Sequence, residues 1–188
     1  ELIMSNRLEL RLTGSGGQGL ILGGIILAEG AIMEGKNAIQ SQSYGPEARG
    51  GSSKAEVIIS DEEIDFPKVR RTNLLLALNQ KSCDKYINSL DEEGILLIDS
   101  TVNVPDTNRA KKIVKVPILE TAREVIGKPM VANIVAIGAI NGILDIVPKK
   151  ILESAVLDRV PKGTEELNKL ALKKGYELVE NCNRNKLN

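Results

Sequence analysis

Two short stretches hold most of the groups able to do chemistry. The first is GSGGQG, in which Gly14, Gly16 and Gly19 give the spacing G-x-G-x-x-G, with Ser15, Gly17 and Gln18 between them. Glycines so spaced let the backbone approach a ligand, and the N–H groups that open a following helix attract phosphate or carboxylate. The second is SQSYGPEARGGSSKAE, Ser41–Glu56, which sets Ser43, Tyr44, a Glu47–Arg49 pair and Gly50–Gly51 between two apolar segments. A linker that long inside a compact domain is more often functional than idle. Arg49 is able to grip a phosphate or carboxylate through two donors, or to pair with Glu47 in its own loop. Tyr44 either stacks on a ligand or packs beneath the loop. Asp99, at the end of an apolar run, reads as a turn cap rather than a ligand.

Composition narrows the chemistry. The chain of 188 residues has 25 basic and 25 acidic side chains, so no net field steers it toward nucleic acid or anionic lipid. Aromatics at 2% are too few for the stacking platforms of single-stranded nucleic acid binding. There is no histidine, which removes histidine acid/base catalysis and most zinc sites. Cys83 and Cys182 are too few to ligate an iron–sulfur cluster. No catalytic and no metal-ligating set stands out. The start lacks a signal-peptide pattern and Met130–Ile143 is too short and polar to span a bilayer, so a cytoplasmic chain is expected.

The elements that must hold the two stretches follow from hydrophobic periodicity. Leu8–Leu12 alternates as a strand, and Leu20–Gly35 is apolar nearly all round, as a helix buried on a sheet. Asn37–Gln42 and Lys54–Ser60 are strands, and Thr72–Asn79 and Gly94–Ser100 are continuous apolar runs typical of central parallel strands. Lys81–Leu90 suits a helix and Lys111–Ile118 a strand. Thr121 and Glu124 have capping-box spacing for a helix ending before Pro129. Met130–Val147, Lys149–Val160 and Gly163–Glu180 are helices, the last with Leu167, Leu170, Ala171 and Leu178 inward. Residues 1–188 are therefore expected to form one three-layer α/β domain, a mostly parallel Rossmann-like sheet with helices on both faces. In such a sheet the loop at 43–51 lies beside the glycine turn. A dinucleotide site would also need an acid ending the second strand, and only Glu34, on the helix, is near.

GSGGQG, SQSYGPEARGGSSKAEVIIS, LLLALNQ, GILLIDS, VANIVAIGA and VPKGTEELN together resemble the gamma subunit of 2-oxoacid:ferredoxin oxidoreductases. The resemblance covers nearly the whole chain. ISDEEIDFP and the C-terminal block are most similar to the 2-oxoglutarate branch, with the pyruvate and branched-chain 2-oxoacid branches as alternatives. It implies an assembly that converts a 2-oxoacid, coenzyme A and oxidised ferredoxin to acyl-CoA, CO2 and reduced ferredoxin. Thiamine diphosphate, magnesium and iron–sulfur clusters then belong to the complex and none to this chain alone. Its partners are alpha, beta and delta subunits, with ferredoxin met through the complex and self-association expected when it is isolated. Gly14, Ser15, Gly16, Gly17, Gln18, Gly19, Ser43, Tyr44, Arg49, Gly50 and Gly51 are the residues expected to shape the coenzyme A side. The rival class is a stand-alone nucleotide-binding Rossmann-like protein.

Overall fold

Strand β1 (Arg7–Ser15) alternates leucines with charged residues, yet nearly all of it is buried. Leu10 and Leu12 point under the helices, and Glu9 and Arg11 on the other face are almost as inaccessible. Burial of these charges is tolerable because each is paired, as desolvation requires. The Glu9 carboxylate takes the Arg7 guanidinium on one oxygen and the backbone N–H groups of Arg70 and Arg71 on the other. Arg11 bonds Glu56 at 3.2 Å and the Ser89 hydroxyl. The computed structural model describes residues 7–43, 52–106 and 110–184.

β1 leads through the glycine turn into α1 (Leu20–Met33), then β2 (Asn37–Ser43), β3 (Ser52–Ser60) and β4 (Thr72–Ala77). The short α2 (Gln80–Tyr86) precedes β5 (Leu90–Asp99) and β6 (Lys112–Val116). α3 (Ile118–Glu120) runs into a π-helical turn, and α4 (Ala132–Leu144), α5 (Lys149–Arg159) and α6 (Glu165–Arg184) complete the chain. The six strands lie in the order β2-β3-β1-β4-β5-β6. β1, β4, β5 and β6 are parallel, as the continuous apolar runs predict. β3 is antiparallel to both β1 and β2, so the sheet is mostly and not wholly parallel, as expected. Consecutive strands that pair antiparallel, as β2 and β3 do, need no crossover helix.

Helices cover the two faces unequally. α1, α4, α5 and α6 build one core with Leu10, Leu12, Leu74, Leu76 and Val57 of the sheet. The other face carries α2 and a smaller cluster around Leu75, Leu96, Ile98 and Cys83.

Two expected details differ. Thr121 does not cap a helix: the helical segment begins at Ile118, and Thr121 sits inside it as the start of the π-helical turn Thr121–Ile126. The stronger acceptor is Asp99, wholly buried at the end of β5, whose Oδ1 takes the Leu119 N–H at 2.9 Å. Leu170 points outward and is 40% exposed, while Leu172, Tyr176 and Val179 of α6 are buried. Glycine contacts set that rotation. A Cβ at Gly175 would stand 2.2 Å from the Val135 carbonyl oxygen, and one at Gly138 would stand 2.5 Å from that of Leu172. α4 and α6 thus meet backbone to backbone, and only one face of α6 permits it. Asn141 fastens the same contact, donating to Tyr176 Oη at 2.8 Å and to the Val147 carbonyl at 2.9 Å.

Gly175→Ala should therefore force the helices apart and cost about 1–3 kcal/mol, the usual penalty of an overpacked core. Urea unfolding checks this: the midpoint should fall, and an unchanged midpoint would show that α4 and α6 tolerate wider spacing.

Candidate functional site

The carboxyl ends of β1, β4, β5 and β6 share one edge of the sheet, where an open α/β fold gathers its loops. β1 reaches three residues further into the glycine stretch than its alternating pattern predicts. Gly14 and Ser15 stay in the sheet because Ser53 and Ser52 of β3 pair with them. Polar bonds then lock the end of β1 to that of β4. Thr13 Oγ1 donates to the Leu76 carbonyl at 2.7 Å, and the Leu78 N–H donates to Thr13 O at 3.0 Å. Asn79 caps α2 by accepting the Ser82 N–H at 2.8 Å, and its Nδ2 donates to Ser15 Oγ at 2.9 Å.

Each glycine of the motif has its own reason. Gly17 and Gly19 adopt positive φ, 82° and 71°, which side chains with a Cβ rarely allow. Gly19 is also crowded: a Cβ there would lie 2.6 Å from Asn133 Nδ2, which donates to the Gly19 carbonyl at 3.1 Å. At Gly14 a Cβ would lie 2.2 Å from Gln18 Oε1, the oxygen that accepts the Ser15 N–H at 2.7 Å. Gly16 and Gly17 face solvent. α1 has no side-chain cap and no acidic residue in its first turn, so its own first turn does not compensate its positive end.

The residues that flank the long loop stand at the turn on one side and two strands from it on the other. Ser52 opens β3 directly opposite Ser15. Ser43 ends β2 opposite Lys54, which faces Thr13 in turn, so it stands two strand spacings, about 10 Å, from β1. Tyr44, Glu47, Arg49, Gly50 and Gly51 lie outside the described residues. Below these flanking residues, Lys54 and Arg11 share the Glu56 carboxylate at 2.9 and 3.2 Å and lie within 6 Å of the Tyr86 ring centre, at 5.8 and 5.5 Å. Sequence reasoning missed this cluster, and it missed Asn79, Ser82 and Asn133 as the residues that brace the turn. A signal existed for Asn79, a cap-type residue standing between an apolar strand and a helical stretch.

Among the described residues the edge offers no acid/base pair. Both Asp99 oxygens are engaged, Oδ2 by the Thr101 N–H at 3.0 Å and the Thr101 hydroxyl at 2.6 Å, Oδ1 by Leu119. The turn-cap reading of Asp99 holds. Among the described residues no group of three or more Cys, Asp or Glu is arranged to hold a metal ion. No described helix is long and apolar enough to cross a membrane. Among the described residues, a cavity of about 550 Å³ lies between α5 and α6 and one of about 400 Å³ at the opposite end of the sheet, beside Arg7 and Arg70; neither adjoins the glycine turn.

Residues 9–178 match the family model described as pyruvate ferredoxin/flavodoxin oxidoreductase. The chain is 50% identical over 179 residues to a 2-oxoglutarate synthase subunit KorC of Methanocaldococcus jannaschii, spanning 93% of this chain and 95% of that one. A second subunit of the same name, from Methanothermobacter thermautotrophicus, is 43% identical over 92% of this chain and 95% of its own. Among solved structures, the gamma subunit of a keto/oxoacid ferredoxin oxidoreductase from Geobacter sulfurreducens superposes with a TM-score of 0.82 at 47% identity, covering 93% of this chain and 97% of its own.

Cys83 is fully buried against the sheet. Burial, with the charge of Asp84 adding to it, pushes its thiol up to about 11. Only the thiolate reacts, so labelling of Cys83 at pH 8 should run about a hundredfold slower than for an ordinary thiol. Iodoacetamide followed by peptide mass spectrometry checks this. Ready modification of Cys83 in the folded chain would contradict the burial.

Proposed function

This chain belongs to the pyruvate ferredoxin/flavodoxin oxidoreductase family, and within it we propose that the chain is the gamma subunit of a 2-oxoglutarate:ferredoxin oxidoreductase. The observation that carries this is the identity, 50% over nearly the full length of both chains, with a 2-oxoglutarate synthase subunit. The enzyme converts 2-oxoglutarate, coenzyme A and oxidised ferredoxin to succinyl-CoA, CO2 and reduced ferredoxin. This subunit supplies no reacting group. Thiamine diphosphate, magnesium and the clusters reside on the alpha, beta and delta partners, against which the chain docks.

Its own contribution is the carboxyl edge of the sheet, which shapes the approach of coenzyme A. Three features support that role. The first turn of α1 has no capping side chain. Ser52, the first described residue after the SYGPEARGG loop, pairs with Ser15, and Ser43, the last before it, stands two strands away. Among the described residues, Asp99 is fully engaged and the Cys83 thiol is suppressed, as suits a surface that binds without reacting.

Arg49→Ala in the assembled enzyme should weaken coenzyme A use by about 1–3 kcal/mol, the range of a charged hydrogen bond. Steady-state kinetics with coenzyme A varied should show a raised KM, and unchanged kinetics would leave Arg49 as loop scaffolding. The purified chain alone should turn over no 2-oxoacid with ferredoxin or a viologen, and adding alpha and beta subunits should restore turnover. Full activity of a complex lacking this chain would overturn the assignment.

A further inference from the structure

DEEIDFPKVRR, residues 61–71, crosses the amino edge of the sheet from the end of β3 to the start of β4. It takes no part in the site described above. Asp61, Glu62, Glu63 and Asp65 make its first half acidic, and Lys68, Arg70 and Arg71 make its second half basic; all are exposed. Phe66, the chain's one phenylalanine, stands between the halves and is 41% exposed. The backbone, by contrast, is pinned from beneath. Arg7 donates to the carbonyls of Phe66 and Lys68 at 2.7 and 3.0 Å, while Glu9 accepts from the N–H groups of Arg70 and Arg71. Asn37 ties the acidic half by donating to the Glu62 carbonyl at 3.0 Å, and the Ser60 hydroxyl accepts the Glu62 N–H at 3.1 Å. The Arg7–Glu9 ion pair thus holds a surface loop in one shape with its charges in solvent. Exposed charges on α6 pair with near neighbours, Lys169 with Glu166 and Lys174 with Glu177. Those of the loop do not. Among the described residues, Asp61, Glu63, Asp65 and Lys68 have no charged partner. Arg70 lies over the Phe66 ring, 4.0 Å from its centre, and Arg71 reaches Asp91 only at 3.9 Å. With Arg7, these arginines line an open cavity of about 400 Å³, a place for an incoming carboxylate.

We propose that residues 61–71 form a self-complementary docking strip whose occupant is a second copy of this chain. β1 lies between β3 and β4, so the two ends of the strip are set two strand spacings, about 10 Å, apart on one rigid edge. A two-fold axis near Phe66 lays the strip of one copy antiparallel on that of the other. Each acidic half then meets the other copy's Lys68, Arg70 and Arg71, and the two Phe66 rings meet at the centre. A partner of one sign would match one half and leave the other unmatched, whereas a second copy matches both. Carboxylates held by guanidinium groups are the strong form of such pairs. One loop from each copy makes a small interface, so the association is weak and governed by charge. The strip lies at the edge opposite the glycine turn, so two copies joined there leave both turns open. The inference does not rest on the coenzyme A reading.

Sedimentation equilibrium of the full chain tests this. The wild type should dimerise reversibly, and its dissociation constant should rise at least tenfold between about 50 and about 500 mM salt, because exposed charges are screened over that range. Reversing the basic half, Arg70→Glu with Arg71→Glu, should leave a monomer at low salt. Reversing the acidic half, Asp61→Lys and Glu63→Lys with Asp65→Lys, should do the same. Mixed one to one, the two reversed chains should pair as a heterodimer, since each now carries a single sign. The pinning bonds run through the backbone, so both variants should keep the fold. If one does not, Lys68→Glu and Asp65→Lys, each alone and then mixed, take their place with the same pattern expected. A wild type that is monomeric at low salt overturns the proposal. So does a dimer indifferent to salt and to both reversals, or reversed chains that do not pair. If the wild type is monomeric and the reversals instead loosen the assembled enzyme, the strip faces a different subunit and the proposal fails.

Discussion

The pairing of β3 with β1 is the constraint from which the rest follows. Arg7 faces Ser60 and Ser15 faces Ser52 in one unbroken antiparallel register. A slip of one residue would turn Ala55, Val57 and Ile59 out of the helical core and drive Glu56 into it. The Arg11–Glu56 ion pair on the opposite face holds the same register a second time, because only this alignment sets the two opposite each other. Burial and charge therefore agree on one answer. That answer delivers Ser52, the first described residue after the long loop, to the end of β1.

Charged and polar groups inside the fold are used structurally and leave little for chemistry. Glu9 holds the backbone at Arg70 and Arg71, Asp99 starts α3, and Asn141 joins α4 to α6. Each satisfies donors or acceptors that would otherwise be buried unpaired. Among the described residues, Arg11 Nε is buried with no partner. We have no physical account of it.

Much of this was legible in the sequence, because it depends on patterns confined to one segment. LLLA and ILLID are apolar on both faces and became central parallel strands. The glycine stretch announced a turn between β1 and α1, and the SYGPEARGG block identified the family. What was not legible depends on partners far along the chain. Thr121 carries a good capping pattern, but Asp99, 22 positions earlier, reaches the helix start first. The facing side of α6 is set by glycines on α4, so Leu170 lost its place to residues that let the backbones touch. What crowds the glycine motif depends likewise on other segments: Gln18 stands against Gly14 and Asn133, on α4, against Gly19.

The central claim is that the carboxyl edge of this subunit faces coenzyme A in the assembled enzyme. Hydrogen–deuterium exchange of the complete complex, with and without coenzyme A and in the absence of 2-oxoglutarate, tests it most directly. Peptides covering residues 13–22 and 41–56 should gain protection when coenzyme A is added, while α5 and the outer face of α6 should not change. Unaltered exchange in both segments, with protection confined to the other subunits, would contradict the account.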